Sequence, residues 1–193
     1  LNLIFKIEDK KYFVQDISAN LNELELLLPN LTIEEKNNEF LVKGKVINNK
    51  NQINIKLLKN FFKDNLLTDN VEKIEINSEN NFNFKINKKL KINDFNLESK
   101  INLNELVYKK NLSKINEYFP AFKNKIELIN HKILIKYKKN NLSITGNGNI
   151  LIDDKTDNLI YKIVKRKNKY FFETEANLNE NSLIIKSLQY KKK

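Results

Sequence analysis

The chain has 193 residues, with 35 basic and 24 acidic side chains and a formal net charge of +11. It contains no Cys, which excludes disulfides and Cys-based zinc or redox sites. It contains no Met and begins with Leu, so we expect it to be a section of a longer protein.

The basic residues are almost all Lys, and only Arg166 is Arg. An excess of Lys, Asn and Ile with almost no Arg is typical of AT-rich coding sequences, and we interpret the charge as a product of that bias. A nucleic-acid binder uses Arg for bidentate recognition of bases and phosphates, so no nucleic-acid partner is predicted. No run of 18 apolar residues occurs, so no transmembrane helix is predicted.

Apolar and polar residues alternate along most of the chain, which predicts strands with one apolar and one polar face. In chain order, the clearest runs begin at Phe40, Ile53, Phe82, Leu97, Leu142 and Tyr170. Short turns rich in Asn, Asp and Lys separate them, at 8–11, 48–51, 138–141, 153–158, 165–168 and 179–181. Strand and turn in repetition predict an antiparallel meander, with strands of about 33 Å.

Three local departures from this pattern carry predictions of their own. The apolar parity changes from even to odd at Asn93–Asp94, where we expect a turn or a bulge. The segments 159–161 and 183–185 are apolar on both faces, which favours an additional covering layer. Helical spacing predicts short helices at Leu112–Phe119, ended by Pro120, and at Leu57–Leu67.

The residue types that carry chemistry do not converge on a reactive site. His131 is the only His, and we expect a structural role for it. Gly146-Asn147-Gly148 lacks the third Gly and the helix of a dinucleotide motif, and predicts a bulge or a close backbone approach. Asp153, Asp154 and Asp157 lack the glycine and the ligand order of a calcium loop, and predict a hairpin turn. Glu173 and Glu175 fall on a polar face. We therefore predict no enzyme activity, no metal and no cofactor.

An antiparallel sheet must cover its apolar face, and the pattern leaves two ways open. One is a β-sandwich with a second sheet, and the other is an open groove filled by acyl chains. The whole of 1–193 is predicted to form one β-rich section, with Pro120 as a candidate point of subdivision. The candidate groove-lining residues are the apolar members of the alternating runs: Phe82, Phe84, Ile86, Leu90, Ile92, Leu97, Ile101, Leu103, Leu142, Ile144, Ile150, Ile152, Tyr170, Phe172 and Leu178.

Two stretches resemble the AsmA-like superfamily of bacterial envelope proteins, which includes the YhdP and TamB types. They are FNFKINKKLKINDFNLESKINLNELVYKK at 82–110 and GNGNILIDDKTDNLIYKIVKRKNKYFFETEANLNENSLIIKSLQYKKK at 146–193, about two fifths of the chain. The resemblance implies a long β-groove in the periplasm, anchored in the inner membrane through segments outside this chain. It implies bridge-like lipid transfer in outer-membrane biogenesis, with phospholipid or another acyl lipid as partner.

The mechanism that follows needs no covalent step. Apolar side chains would line the concave face, shield acyl chains and let lipid slide along a continuous apolar track. Changes in the parity of the apolar positions matter for this mechanism, because a gap in the apolar track would stop the movement of lipid. The alternative function is a structural or adhesive β-repeat module without a ligand.

Overall fold

The computed structural model describes residues 4–21, 24–49, 52–55, 70–109, 117–120, 122, 125–152 and 155–192. These residues are mainly β-strand. The strands are β1 Ile4–Glu8, β2 Lys11–Leu21, β3 Leu24–Lys36, β4 Glu39–Asn48, β5 Val71–Asn87, β6 Ile92–Lys109, β7 Lys125–Lys138, β8 Asn141–Ile152, β9 Lys155–Arg166, β10 Lys169–Asn177, β11 Leu183–Ile185 and β12 Tyr190–Lys192. One turn of 3₁₀ helix, Lys186–Leu188, lies between β11 and β12.

Strands β1 to β10 form one antiparallel sheet in which each strand pairs with its neighbours in sequence. Strands β11 and β12 pair only with each other. The prediction of a long antiparallel meander forming an open groove is confirmed, since within the described ranges no second large sheet faces the first. The predicted helix at Leu57–Leu67 lies outside the described residues, as does most of the one at Leu112–Phe119, whose residues 117 and 118 form a turn.

The hairpin turns follow from the local residue types. Asn37 and Asn38 both have positive φ, 52° and 62°, and so do Lys139 and Asn140, 47° and 63°. Two consecutive positive φ values are typical of the type I′ turn, whose twist matches that of the flanking strands. Asn reaches this backbone region more readily than most residues. The turns predicted at 8–11, 138–141 and 165–168 are confirmed.

The two central strands are longer than the sequence spacing predicts. Strand β5 has 17 residues and β6 has 18, so β6 spans about 60 Å. The expected parity correction is present at Asp94, which has a φ of 51° at a register shift between β5 and β6. A second shift lies beside Asn130 in β7, with a φ of 54°. Such bulges increase the local twist, which helps a long sheet to curl.

The chain exposes more surface than a compact protein of its size. Its accessible surface is 13557 Å² for 22.9 kDa, whereas a globular protein of that mass exposes about 9,600 Å². Few of the described residues are buried, and those within the large sheet lie mostly on one side of it: Val42, Asn48, Ser99, Leu103, His131, Ile152 and Asp157, with Val107 as the exception. The sheet is therefore a single layer whose buried residues lie mainly on one of its two sides.

Candidate functional site

A continuous row of paired residues crosses all ten strands of the sheet. Paired residues on neighbouring strands point to the same side of a sheet. The row runs Phe5, Val14, Leu31, Gly44, Phe82, Leu97, Tyr137, Leu142, Lys165 and Tyr170. All but Gly44 and Lys165 are apolar or aromatic, and we call this side of the sheet the apolar face. Nine strand spacings make the row about 43 Å long.

The structure brings thirteen of the fifteen predicted groove residues onto the apolar face. Phe84 pairs with Val42, two residues from the row, and Ile86 pairs with both Phe40 and Ile92. Leu90 does not belong to the set, because it lies in the β5–β6 turn with a φ of 57°. Leu178 is half-buried and follows the end of β10. The bulge at Asp94 keeps the runs on either side of it on one face, as the parity argument requires.

The predicted groove residues include none from β1, β2, β3, β4, β7 or β9. Their apolar alternation is present, as in Ile133, Ile135 and Tyr137, but it was not assigned to the groove. Ile133 pairs with Ile101 and Gly146, and Ile135 pairs with Ser99 and Ile144, so both lie on the apolar face. The signal was therefore available in the sequence for these strands.

A group of polar side chains lies in the middle of the apolar face, where β4, β5 and β6 meet. Asn80 donates from Nδ2 to the carbonyl of Val46 and to Oγ of Ser78, at 3.2 and 3.0 Å. Ser99, only 3% exposed, donates to Oδ1 of Asn80. Asn48 donates to the carbonyl of Ile76 at 3.3 Å. These polar groups form their hydrogen bonds within the sheet. An apolar ligand that covers the patch therefore leaves few of them without a partner.

Each glycine of the chain lies beneath an aromatic ring of a neighbouring strand. A Cβ at Gly44 would meet the Phe82 ring at 2.7 Å, and one at Gly146 would meet the Tyr161 ring at 2.3 Å. A Cβ at Gly148 would meet the His131 ring at 2.4 Å. None of the glycines has a positive φ, so no unusual backbone conformation requires glycine at these positions. Glycine is required because a side chain would collide with the ring. The close approach expected at 146–148 is thus confirmed, with the bulge on the opposing strand.

Aromatic rings form a chain along one end of the apolar face. Phe82 stacks on Phe84 at 5.9 Å, Phe84 contacts Phe95 at 6.3 Å, and Phe95 contacts Tyr137 at 5.9 Å between centroids. Tyr170 stacks on Phe172 at 6.3 Å in β10. These rings lie near the hairpin turns, so the apolar face continues to that edge of the sheet.

His131 is fully buried in β7, beside the bulge at Asn130. Its Nε2 donates to the carbonyl of Asn149 at 2.9 Å, and its ring contacts Tyr161 at 5.7 Å between centroids. Burial lowers the pKa of His131, and the bond to Asn149 only partly opposes this. The neutral ring therefore fills space over Gly148, in agreement with a structural role.

Asp157 corrects a prediction. The turn expected over 153–158 is shorter, because β9 begins at Lys155 and places Asp157 inside a strand. Asp157 is buried and accepts bonds from the backbone N–H groups of Asn179, Glu180 and Asn181 and from the Asn181 side chain. Burial by itself raises the pKa of Asp157, but these hydrogen bonds outweigh it and hold the pKa below its ordinary value. The carboxylate thus fastens the segment after β10 to the sheet.

The opposite face of the sheet is polar and carries ion pairs. Lys73 lies 2.6 Å from Glu105 and 2.8 Å from Glu75, and its hydrogen bonds to these two carboxylates raise its pKa. A shallow depression of about 740 Å³ lies on this side over β6 to β10, lined by Lys100, Lys132, Lys162, Glu173 and Glu175 among others. Glu173 and Glu175 are exposed there, as expected for a polar face.

Among the residues that the structure describes, no second layer covers Ile160 of β9 on this side. Ile160, within the segment expected to be covered on both faces, is 43% exposed. Ile133, Leu134 and Ile160 also line the depression, and Lys162 pairs with Glu173 at 3.4 Å. We regard the apolar face, whose row crosses all ten strands, as the candidate site.

The fold and face define the chain as an open, single-layer β-meander protein with one predominantly apolar side. Comparisons with known proteins give no match, either to a family model, to a curated protein or to a solved structure. In the part of the chain that the structure describes, no group of three or more His, Cys, Asp or Glu is placed to hold a metal ion. No helix among the described residues is long and apolar enough to cross a membrane.

Proposed function

We propose that the apolar face shields the acyl chains of lipid. The observation that supports this most directly is the row of paired residues from Phe5 to Tyr170, which crosses every strand of the sheet and is apolar or aromatic except at Gly44 and Lys165. Its length of about 43 Å exceeds the roughly 30 Å hydrocarbon core of a bilayer, so two acyl chains end to end fit along it.

The energetics favour an apolar occupant. Large apolar side chains of this face remain in water, with Ile7, Tyr170 and Phe172 all more than half exposed. These residues lie on the two edge strands, β1 and β10, and the apolar residues between them are mostly half-buried. Exposed apolar surface marks interaction sites in soluble proteins when it forms large patches. Each acyl methylene removed from water contributes about 0.8 kcal/mol. The polar patch around Asn80 does not oppose this, because its hydrogen bonds are already made within the sheet.

On this proposal the chain is a section of a lipid-transfer protein. The resemblance to AsmA-like envelope proteins supports a location in a bacterial envelope, facing the periplasm, with the anchor in segments outside this chain. The proposed activity is the passage of phospholipid along the face in outer-membrane biogenesis, without a covalent step and without an enzyme activity.

Adjacent residues of β10 provide a matched test. Phe172 lies on the apolar face and is 71% exposed, whereas Phe171 lies on the polar face and is 55% exposed. Because both are exposed, Phe172→Glu and Phe171→Glu should both fold, which circular dichroism checks. Native mass spectrometry of protein purified without detergent should show phospholipid bound to the wild type and to F171E, and much less bound to F172E. Lipid-free wild type, or equal loss in both variants, would contradict the proposal.

A structural or adhesive module without ligand is the second candidate. It is supported by β10, an edge strand whose nine residues are all exposed. Such an edge pairs readily with a strand of another chain. If this is the function, the purified chain should self-associate with rising concentration and carry no lipid. Sedimentation velocity distinguishes the two candidates, because lipid shielding needs no self-association.

A further inference from the structure

Five hairpin turns lie along one edge of the sheet, because strands of a meander alternate in direction. They comprise residues 8–11, 36–39, 87–91, 138–141 and 165–169, and we call this edge the turn rim. It contains twelve basic and three acidic residues, a net charge of +9, whereas the remaining 171 residues carry 23 basic and 21 acidic side chains. The fold therefore collects nearly all of the excess positive charge of the chain at one edge.

Compositional bias does not account for this distribution. Bias acts on every position alike and predicts lysines spread along the chain. Surface turns favour polar residues of either sign, yet the turn rim has four basic residues for each acidic one. The placement is thus a property of the folded sheet that the sequence composition alone does not explain.

Among the basic residues of the turn rim, Lys11 lies 3.8 Å from Glu34, and the other lysines form no ion pair with a described residue. Lys88, Lys89 and Lys91 are exposed, and none forms an ion pair with another described residue. The side chain of Asn87 orders this turn by accepting bonds from the backbone N–H groups of Lys89 and Lys91, each at 3.0 Å. A cluster of like charges in water creates a potential that attracts anions.

The turn rim borders the apolar face directly. Leu90, between Lys89 and Lys91, is 81% exposed. Lys165 belongs to the apolar row itself, and its Nζ lies 5.3 Å from the centroid of the Tyr170 ring. Cationic and apolar surface therefore meet along one line, as the charged and apolar parts of a phospholipid do.

We infer that the turn rim binds the phosphate groups of anionic phospholipids whose acyl chains lie on the apolar face. This inference rests on the proposed function and specifies its substrate class. Lys suits the purpose because its ammonium is a compact point charge on a flexible stem, able to follow a mobile headgroup. Each Lys near an anionic lipid surface contributes about 1 kcal/mol, and salt weakens the attraction. Nucleic acid is a less suitable ligand for the turn rim, because Arg166 is the only Arg of the rim and Lys does not bind phosphate in a bidentate manner.

Two six-lysine variants of the full chain test the inference with equal change of charge. The rim variant carries Lys→Gln at exposed positions of the turn rim: Lys88, Lys89, Lys91, Lys138, Lys139 and Lys167. The control carries Lys→Gln at exposed positions of the polar face: Lys6, Lys43, Lys100, Lys132, Lys136 and Lys162. Each protein is incubated with vesicles of phosphatidylcholine and phosphatidylglycerol, separated from them, and its bound lipid is quantified by mass spectrometry.

The wild type and the control should enrich phosphatidylglycerol over the vesicle composition by about fivefold or more, which one lysine contact is sufficient to produce. High salt should abolish the enrichment. The rim variant should still bind lipid, in the proportions of the vesicle. Enrichment retained by the rim variant, or lost equally in the control, would overturn the inference while leaving acyl-chain binding in place. Absence of bound lipid in all three proteins would instead refute the proposed function itself.

Discussion

Replacing Gly146 by Ala tests how the apolar face is built. The added Cβ would lie 2.3 Å from the Tyr161 ring, whereas ordinary contact begins at 3.4 Å, so the ring must move by about 1 Å. The ring has little room to move, because it is half-buried and already contacts His131. Overpacking of this kind costs about 1–3 kcal/mol. We therefore expect Gly146→Ala to lower the free energy of unfolding by that amount.

Urea unfolding followed by circular dichroism measures the loss. The neighbouring exposed residue provides the control, since Asn147→Ala adds no atom against a ring and should leave the midpoint almost unchanged. In a Tyr161→Ala background the Gly146→Ala cost should largely disappear, giving a coupling of about 1–2 kcal/mol between the two positions. A Gly146→Ala protein as stable as the wild type, or a cost unaffected by removing the ring, would refute the reasoning.

Three further predictions concern buried polar groups. The pKa of His131 lies below its ordinary value, so as the pH falls His131 is protonated in the unfolded chain before it is protonated in the folded chain. The free energy of unfolding should therefore decrease below about pH 6.5, by up to about 1.4 kcal/mol per pH unit. Urea titrations of His131→Gln should show no such dependence on pH. Asp157→Ala should release the segment after β10, seen as faster amide hydrogen exchange at Asn179 and Asn181, and unchanged exchange would contradict the anchoring role. Ser99→Ala leaves Oδ1 of Asn80 without its donor and should cost about 1–3 kcal/mol in urea unfolding, whereas no cost would show that the polar patch is not satisfied within the sheet.

The apolar face and the turn rim adjoin each other, so the sheet has an apolar surface bordered by a cationic edge. The apolar row ends at Lys165 and Tyr170, next to the most basic turn, 165–169. A ligand with a charged head and apolar tails matches both surfaces at once. The F172E and six-lysine variants separate the two halves of this proposal, because one removes the site for the tails and the other the site for the head.

The alternation of residues by itself determined the class of fold and most of one face. A period of two places every second side chain on the same side, so the runs from Phe82 and Leu142 predicted the apolar face without any knowledge of tertiary contacts. The parity change at Asn93–Asp94 also predicted its bulge, since only an extra residue returns Leu97 to the side of Phe82. Turn-forming residues such as Asn and Asp predicted the turns at 8–11, 138–141 and 165–168, because they tolerate positive φ, but the turns at 36–39 and 87–91 were not predicted.

Only the tertiary structure decided how the strands combine. Register between distant strands depends on which side chains meet across them, and this placed Ser99 beside Asn80 and the Tyr161 ring over Gly146. It also moved Asp157 from a predicted turn into a buried strand position, because the hydrogen bonds that hold it come from residues more than twenty positions later. The collection of positive charge at one edge has the same origin, since the five turns adjoin only when the meander is folded.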